Sequence, residues 1–375
     1  FRSIDIPVNY QGCYIETDEL RGYDPSEDVN ENPAPVEKSV IAEVIGKIKD
    51  AKRPVLYAGN GIRLSEGYGA FRKAVEKLGI PVVTCWDSID AIEDENPLYV
   101  GRGGIMGDRP GNFAVQNADL VLAVGNRLSI RQVGYSWKTW AREAYVIMVD
   151  VDPAELKKTT LHVELPVCAD AKDFFVQMNE QLADEDVPVF AGKEWIRKCQ
   201  EWKKNYPVTQ PKHWEEDGKY ANVYAFIKYL SQNLPQGNMT VVSNGSACVV
   251  GSHNYVIQKE ARFLINSAVA SMGYGLPAAI GACIATGRKT TICLEGDGSI
   301  MMNLQELQTV LTNQLPIKIF VINNQGYHSI RQTQNNLFKE HCKIGIGPES
   351  GDLSFPDFSK LSEAFGYTYL EAHSN

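Results

Sequence analysis

The chain has 375 residues, 44% of them hydrophobic and 22% charged, with a formal net charge of −9. That length accommodates two domains with full cores, and the composition is that of an ordinary water-soluble globular protein. The acidic balance argues against a nucleic-acid partner, because binders of the phosphate backbone carry a basic patch or a high pI. No apolar run reaches the length of a membrane span and no signal peptide opens the chain, so no membrane partner and a cytoplasmic location are expected. The eight cysteines include no C-x-x-C pair and mostly sit in apolar runs, which predicts buried thiols rather than disulfides or zinc.

Residues 1–35 read as the end of a preceding domain followed by a linker rich in Asp, Glu, Asn and Pro. A first α/β domain is expected over residues 36–185. Val36, Val40, Ile41, Val44, Ile45 and Ile48 make one helical face, and Phe71, Ala74, Val75 and Leu78 make another. Short apolar runs at residues 54–58, 80–84, 119–124 and 145–151 read as strands of a parallel sheet covered on both faces. Gly59-Asn60-Gly61 follows the first of these but lacks the third glycine of the dinucleotide fingerprint. Residues 186–220 read as a connector, with a Trp-containing helix at 193–205, Pro207, Pro211 and the acidic run at 215–218. A second α/β domain is expected over residues 221–375, so the fold class is α/β with two doubly wound parallel sheets.

The chemistry concentrates in that second domain. A strand at 240–243 leads into Asn244-Gly245-Ser246-Ala247-Cys248, small residues that let backbone amides approach an anion. Residues 271–282, SMGYGLPAAIGA, suit a helix packed tightly on a sheet. An apolar strand at 291–294 stops at Gly296-Asp297-Gly298-Ser299. Leu304, Leu307, Val310 and Leu311 then give helical spacing from Ile300 until Asn313 and Pro316 break it. A strand at 317–322 ends in Asn323-Asn324-Gln325-Gly326, and a last strand is expected at 367–372. Strand, helix, strand with short links places both turns at the carboxyl edge of one sheet, where open α/β folds bind ligands. One carboxylate (Asp297), one amide oxygen (Asn324) and one main-chain carbonyl (Gly326) suit Mg²⁺ and leave positions for two phosphate oxygens and a water. Ser299 and the amides opening the helix can bind those phosphates.

Gly-Asp-Gly separated from Asn-Asn by residues 299–322 resembles the metal and diphosphate signature of thiamine-diphosphate enzymes. The resemblance to the acetolactate synthases is broader. PVLYAGNGIRLSEG, GIPVVT, AVQNADLVLAVGNRL and VIMVDVDPAELKK are similar to their central domain, MGYGLPAAIGA to their cofactor domain, and Ile4-Asp5-Ile6-Pro7 to the strand closing their first domain. It implies a cofactor site made of Ser246, Ala247, Cys248, Ala270, Met272, Gly296, Asp297, Gly298, Ser299, Asn324, Gly326, Tyr327 and His328. Met272 would wedge between the cofactor rings, and backbone groups at Ala270 and Met272 would bond the aminopyrimidine. His328 is the candidate for proton transfer. The implied reaction is decarboxylation of a 2-oxo acid, with attack of the resulting carbanion equivalent on a carbonyl acceptor. Simple decarboxylation or oxidation, or a non-catalytic nucleotide-binding module, are the alternatives.

In that family a glutamate from an amino-terminal pyrimidine-binding domain activates the cofactor, and sites form across two chains. The expectation is therefore a homodimer or tetramer, and a fragment without turnover by itself. FAD would map to Gly59, Gly61, Thr84, Gly125, Arg127, Asp150 and Asp170. Arg127-Leu128-Ser129-Ile130-Arg131 replaces the usual Arg-Phe-Asp-Asp-Arg, which leaves ADP or an empty domain open. Gln332-Thr333-Gln334 replaces Gln-Trp-Gln and points to an acceptor bulkier or more polar than a small 2-oxo acid, such as a keto sugar.

Overall fold

The structure is a computed structural model that describes residues 8–22, 24, 33–183, 188–215, 220–267, 269–338 and 343–374. The IDIP stretch, residues 216–218 and Cys342 lie outside the described residues. Among the described residues ten strands form two all-parallel sheets: β1 Pro54–Ala58, β2 Val82–Thr84, β3 Tyr99–Arg102, β4 Leu120–Val124, β5 Tyr145–Asp150, β6 Leu165–Cys168, β7 Met239–Val242, β8 Arg262–Ile265, β9 Thr291–Gly296 and β10 Ile317–Ile322. The first sheet runs β3-β2-β1-β4-β5-β6 and the second β10-β9-β7-β8. The first is a doubly wound order whose direction of growth reverses between β1 and β4.

The periodicities fold as read. The Lys38–Asp50 helix buries Ile41, Val44, Ile45 and Ile48. The Tyr68–Leu78 helix buries Phe71, Ala74, Val75 and Leu78 and ends at Gly79, whose left-handed φ of 66° closes the last turn. β1 and β4 are buried along their whole length, as expected of strands covered on both faces. β3, β6 and β8 were not among the expected strands: each is four residues that include a Gly, Pro or Arg, so none shows a continuous apolar run.

Three expectations are corrected. The Lys193–Asn205 helix lies within the stretch read as connector, yet it buries Trp195 and Cys199 in the core of the first domain. The Trp195 indole donates to the Pro54 carbonyl at 3.0 Å, which fixes the helix against β1. The helix expected from Ile300 instead starts at Asp297, tightens to a 3-10 turn over Met301–Asn303 and resumes over Glu306–Thr312. The tightening occurs where Asn303 Nδ2 donates to the Gly273 carbonyl at 2.7 Å. Residues 367–372 form no strand. Tyr367 spends its hydroxyl on the Leu307 carbonyl at 2.9 Å, Leu370 is exposed, and no neighbouring strand among the described residues pairs with the segment.

The loop after β2 joins the two domains. Ile89 inserts into the second core beside Ile227 and Leu294. The Asp90 carboxylate receives Arg262 Nε at 2.8 Å and the Phe263 amide at 3.1 Å, covering the β8 edge. Asp94 exchanges two hydrogen bonds with the backbone of Ile257, and Arg102 donates to the carbonyls of His253 and Tyr255. His253 is half-buried here, 3.5 Å from the Tyr224 hydroxyl. Burial, aided by the Arg102 cation, pushes its imidazole down to about 4. The unfolded chain takes up that proton below about pH 6.5, so His253 lowers stability as pH falls from about 6.5 to 4, by at most about 3 kcal/mol. Urea unfolding at pH 7 and pH 4.5 should show the wild type losing more stability than His253→Gln over that interval. Parallel pH profiles would contradict the assignment.

Candidate functional site

β9 and β10 pair in register, Ile322 opposite Gly296, so the turns that follow them emerge side by side. β7 flanks β9 on its other side, Val242 opposite Leu294, and brings the Asn244–Ser246 turn to the same edge. Asp297 is only 2% exposed. Its Oδ1 accepts the Gly298 amide at 2.8 Å and its Oδ2 the Gly326 amide at 2.9 Å. Burial pushes this carboxyl above the ordinary range, and the Gly326, Gly298 and Gln325 amides with the Arg331 cation pull it back.

Asn324 Nδ2 donates to Ser246 Oγ at 3.2 Å, which links the third turn to the other two. Its Oδ1 is buried and has no hydrogen-bond partner. Such an orphaned acceptor costs about 1–3 kcal/mol and calls for an explanation; a hard cation satisfies it. Gly326 turns the chain at φ 148°, and a Cβ there would stand 1.9 Å from the Ile346 carbonyl oxygen, so only glycine fits. The Gly326 carbonyl accepts the His328 amide at 3.1 Å and keeps a second lone pair. Asp297, Asn324 Oδ1 and the Gly326 carbonyl could therefore hold one cation. Among the described residues no three His, Cys, Asp or Glu side chains stand together as a metal cluster. One carboxylate with neutral oxygens is the donor set of a hard ion sharing phosphate.

Ser246, Ala247 and Cys248 open the Ser246–Asn254 helix behind Gly245. Burial pushes the Cys248 thiol up to about 11, which leaves it unreactive. Ser299 Oγ lies 2.5 Å from Ser243 Oγ and accepts the Gly273 amide at 2.9 Å. Met272 is 40% exposed beside a cleft of about 600 Å³ that Ser271 and Tyr274 also line. The Ala270 carbonyl, expected to face the pyrimidine, accepts Asn244 Nδ2. The Tyr327 ring covers Gly298 and meets Phe355 edge-on at 5.7 Å. His328 stands exposed at the first position of the His328–Phe338 helix. The reading of the sequence missed Glu295, fully buried behind Asp297. Its signal was a lone acid closing an otherwise apolar strand.

The family patterns described as "Thiamine pyrophosphate enzyme, central domain" and "Thiamine pyrophosphate enzyme, C-terminal TPP binding domain" match residues 41–178 and 243–375. The chain belongs to the thiamine pyrophosphate enzymes. Within that family it is similar to the acetolactate synthase isozyme 2 large subunit of Escherichia coli K12, at 31% identity over 90% of this chain and 58% of the relative. A probable acetolactate synthase 2, chloroplastic, of Oryza sativa subsp. japonica is 33% identical over 89% of this chain and 50% of its own length. A probable large subunit of Methanococcus aeolicus is 30% identical over 97% and 61%. The chain thus spans half to three fifths of the length of these curated relatives.

The first sheet has a switch point between β1 and β4, where the two glycine amides after β1 are taken. Gly59 N–H donates to the Val124 carbonyl and Gly61 N–H to that of Gly125, and a Cβ on Gly59 would overlap the Gly125 carbonyl oxygen at 2.3 Å. Thr84 is buried against Tyr99, and Asp170 caps the Ala171–Gln181 helix. Asp150 accepts the Asp152 amide, while Arg127 lies 3.5 Å from Glu155. The Gly59 and Gly61 amides are thus spent inside the protein rather than left free for a dinucleotide pyrophosphate. No helix among the described residues is long and apolar enough to cross a membrane.

Proposed function

We propose that this chain supplies the metal and diphosphate anchor of a thiamine-diphosphate carboligase, which decarboxylates a 2-oxo acid such as pyruvate and transfers the acyl carbanion to a carbonyl acceptor. The observation that carries the reading is the buried, unpartnered Asn324 Oδ1 in the turn that gives Asp297 its Gly326 hydrogen bond. Mg²⁺ would be held by Asp297, Asn324 and the Gly326 carbonyl, and the diphosphate by Ser246, Ser299 and the amides opening two helices. When bound, thiamine diphosphate supplies the electron sink for carbon–carbon bond chemistry.

The chain's own residues do the rest. Met272 shapes the surface against which the cofactor rings are oriented. Tyr327 closes the Gly298 side of the turn against water. His328, exposed at the rim, is the side chain placed for proton transfer to or from the substrate. Thr333 turns its hydroxyl back to the Ser329 carbonyl at 3.0 Å and presents no bulky wall, which favours a larger, more polar acceptor such as a keto sugar. The activating glutamate comes from a separate pyrimidine-binding domain, and the working unit is a cytoplasmic homodimer or tetramer.

Calorimetry on the full-length protein with thiamine diphosphate, with and without Mg²⁺, tests the anchor. Binding that needs the metal is expected, and metal-independent or absent binding overturns the reading. Products from pyruvate and an added ketose then separate ligation from simple decarboxylation or oxidation.

A further inference from the structure

Side chains alternate across β9. Leu294 packs in one core cluster, with Ile227 and Val242, while Cys293 packs in another, with Leu276 and Ala279. Glu295 therefore faces the Gly275–Ala285 helix, with no exposed surface. Its Oε1 accepts the Leu276 amide at 2.8 Å, one of the donors that the start of any helix leaves without an internal partner. The residue in the capping position, Tyr274, makes no side-chain cap, so the cap is delivered from a strand in another part of the fold. Gly275 makes room for it, since a Cβ there would stand 2.4 Å from Glu295 Oε1.

Two further ties reach the same turn from the same side. Ser299 Oγ accepts the Gly273 amide at 2.9 Å, and Asn303 Nδ2 donates to the Gly273 carbonyl at 2.7 Å. Glu295, Ser299 and Asn303 flank Asp297 on one continuous stretch. The turn they grip carries Met272. Burying a carboxyl is costly: Oε2 makes no hydrogen bond of ordinary geometry, although the Ser243 and Ser299 hydroxyls lie close enough to favour its charged form; an apolar residue at this position of β9 would avoid that cost. The cost is accounted for if the tie matters more than the stability it forgoes.

We propose that Glu295 is a positioning residue, which locks the Met272 turn to the strand leading into Asp297 so that the metal–diphosphate anchor and the ring-orienting surface behave as one body. What Met272 orients rests on the function proposed above; the lock is a property of the protein alone.

The test uses the full-length protein and the variants Glu295→Ala and Glu295→Gln, the second keeping an acceptor oxygen and the side-chain size. Amide hydrogen exchange without any ligand should show Gly273 and Leu276 exchanging about tenfold faster or more in Glu295→Ala, and near wild-type rates in Glu295→Gln. Calorimetry should then split the ligands. Mg²⁺ with inorganic pyrophosphate, which probes the anchor only, should bind Glu295→Ala as it binds the wild type. Mg²⁺ with thiamine diphosphate should bind Glu295→Ala about tenfold more weakly, with Glu295→Gln restoring it. Unchanged exchange at both amides, or pyrophosphate affinity falling as far as that of thiamine diphosphate, overturns the lock. If the wild type binds neither ligand, the functional reading fails while exchange still decides the lock. Should Glu295→Ala not fold, faster exchange at Leu276 in Glu295→Gln than in the wild type overturns it as well.

Discussion

Replacing Asp297 by alanine should weaken Mg²⁺-dependent binding of thiamine diphosphate by at least about 100-fold, since outer-shell partners of a metal alone typically contribute 10–100-fold. The fold should survive, because removing a carboxylate at 2% exposure relieves desolvation while it forfeits the Gly298 and Gly326 bonds. Asp297→Asn should rescue little. Both carboxylate oxygens accept backbone amides, and an NH₂ in place of either sets donor against donor. Asn324→Leu gives the complementary signature. It removes an acceptor that satisfies nothing inside the protein together with one 3.2 Å bond to Ser246, so metal-dependent binding should be lost with a stability loss of only about 1 kcal/mol. Calorimetry paired with urea unfolding on the same samples reads both. Retained metal-dependent affinity in Asp297→Ala would remove the anchor from this site.

Gly326→Val should be the most damaging single change in the loops of the second domain. Its Cβ would meet the Ile346 carbonyl oxygen at 1.9 Å and an Arg331 nitrogen at 2.8 Å, and the first of these is backbone that has to move. A φ of 148° adds conformational strain for any side chain. Expected are loss of metal-dependent binding as complete as in Asp297→Ala and a stability loss of about 2–3 kcal/mol. Gly46→Ala is the internal control: it lies in the Lys38–Asp50 helix with nothing within 4 Å of the added Cβ, and should stabilise by about 0.5–1 kcal/mol. Thermal unfolding of the two variants in opposite directions would separate the loop's conformational demand from a general intolerance of glycine replacement.

What could be read in advance followed from local physics. Apolar runs at Pro54–Ala58 and Ile317–Ile322 and the helical stripe through Phe71, Ala74, Val75 and Leu78 are properties of consecutive residues. Their burial pattern is written in their spacing. The pairing of the Asp297 and Asn324 turns was legible for a related reason. A strand, a helix and a strand with short links favour one right-handed way to lie in a parallel sheet, and β9 and β10 do pair as parallel neighbours.

What the chain by itself determined, then, is the two parallel α/β units and the edge at which Asp297, Asn324 and Gly326 gather. Only the tertiary structure decided that Trp195 completes the first core, that Gly59 and Gly61 spend their amides on the chain after β4, and that Glu295 caps a helix nineteen positions before it. Each of these joins residues that are distant along the backbone. No periodicity encodes such a contact, because its energy arises only once packing has brought donor and acceptor together and excluded water from both.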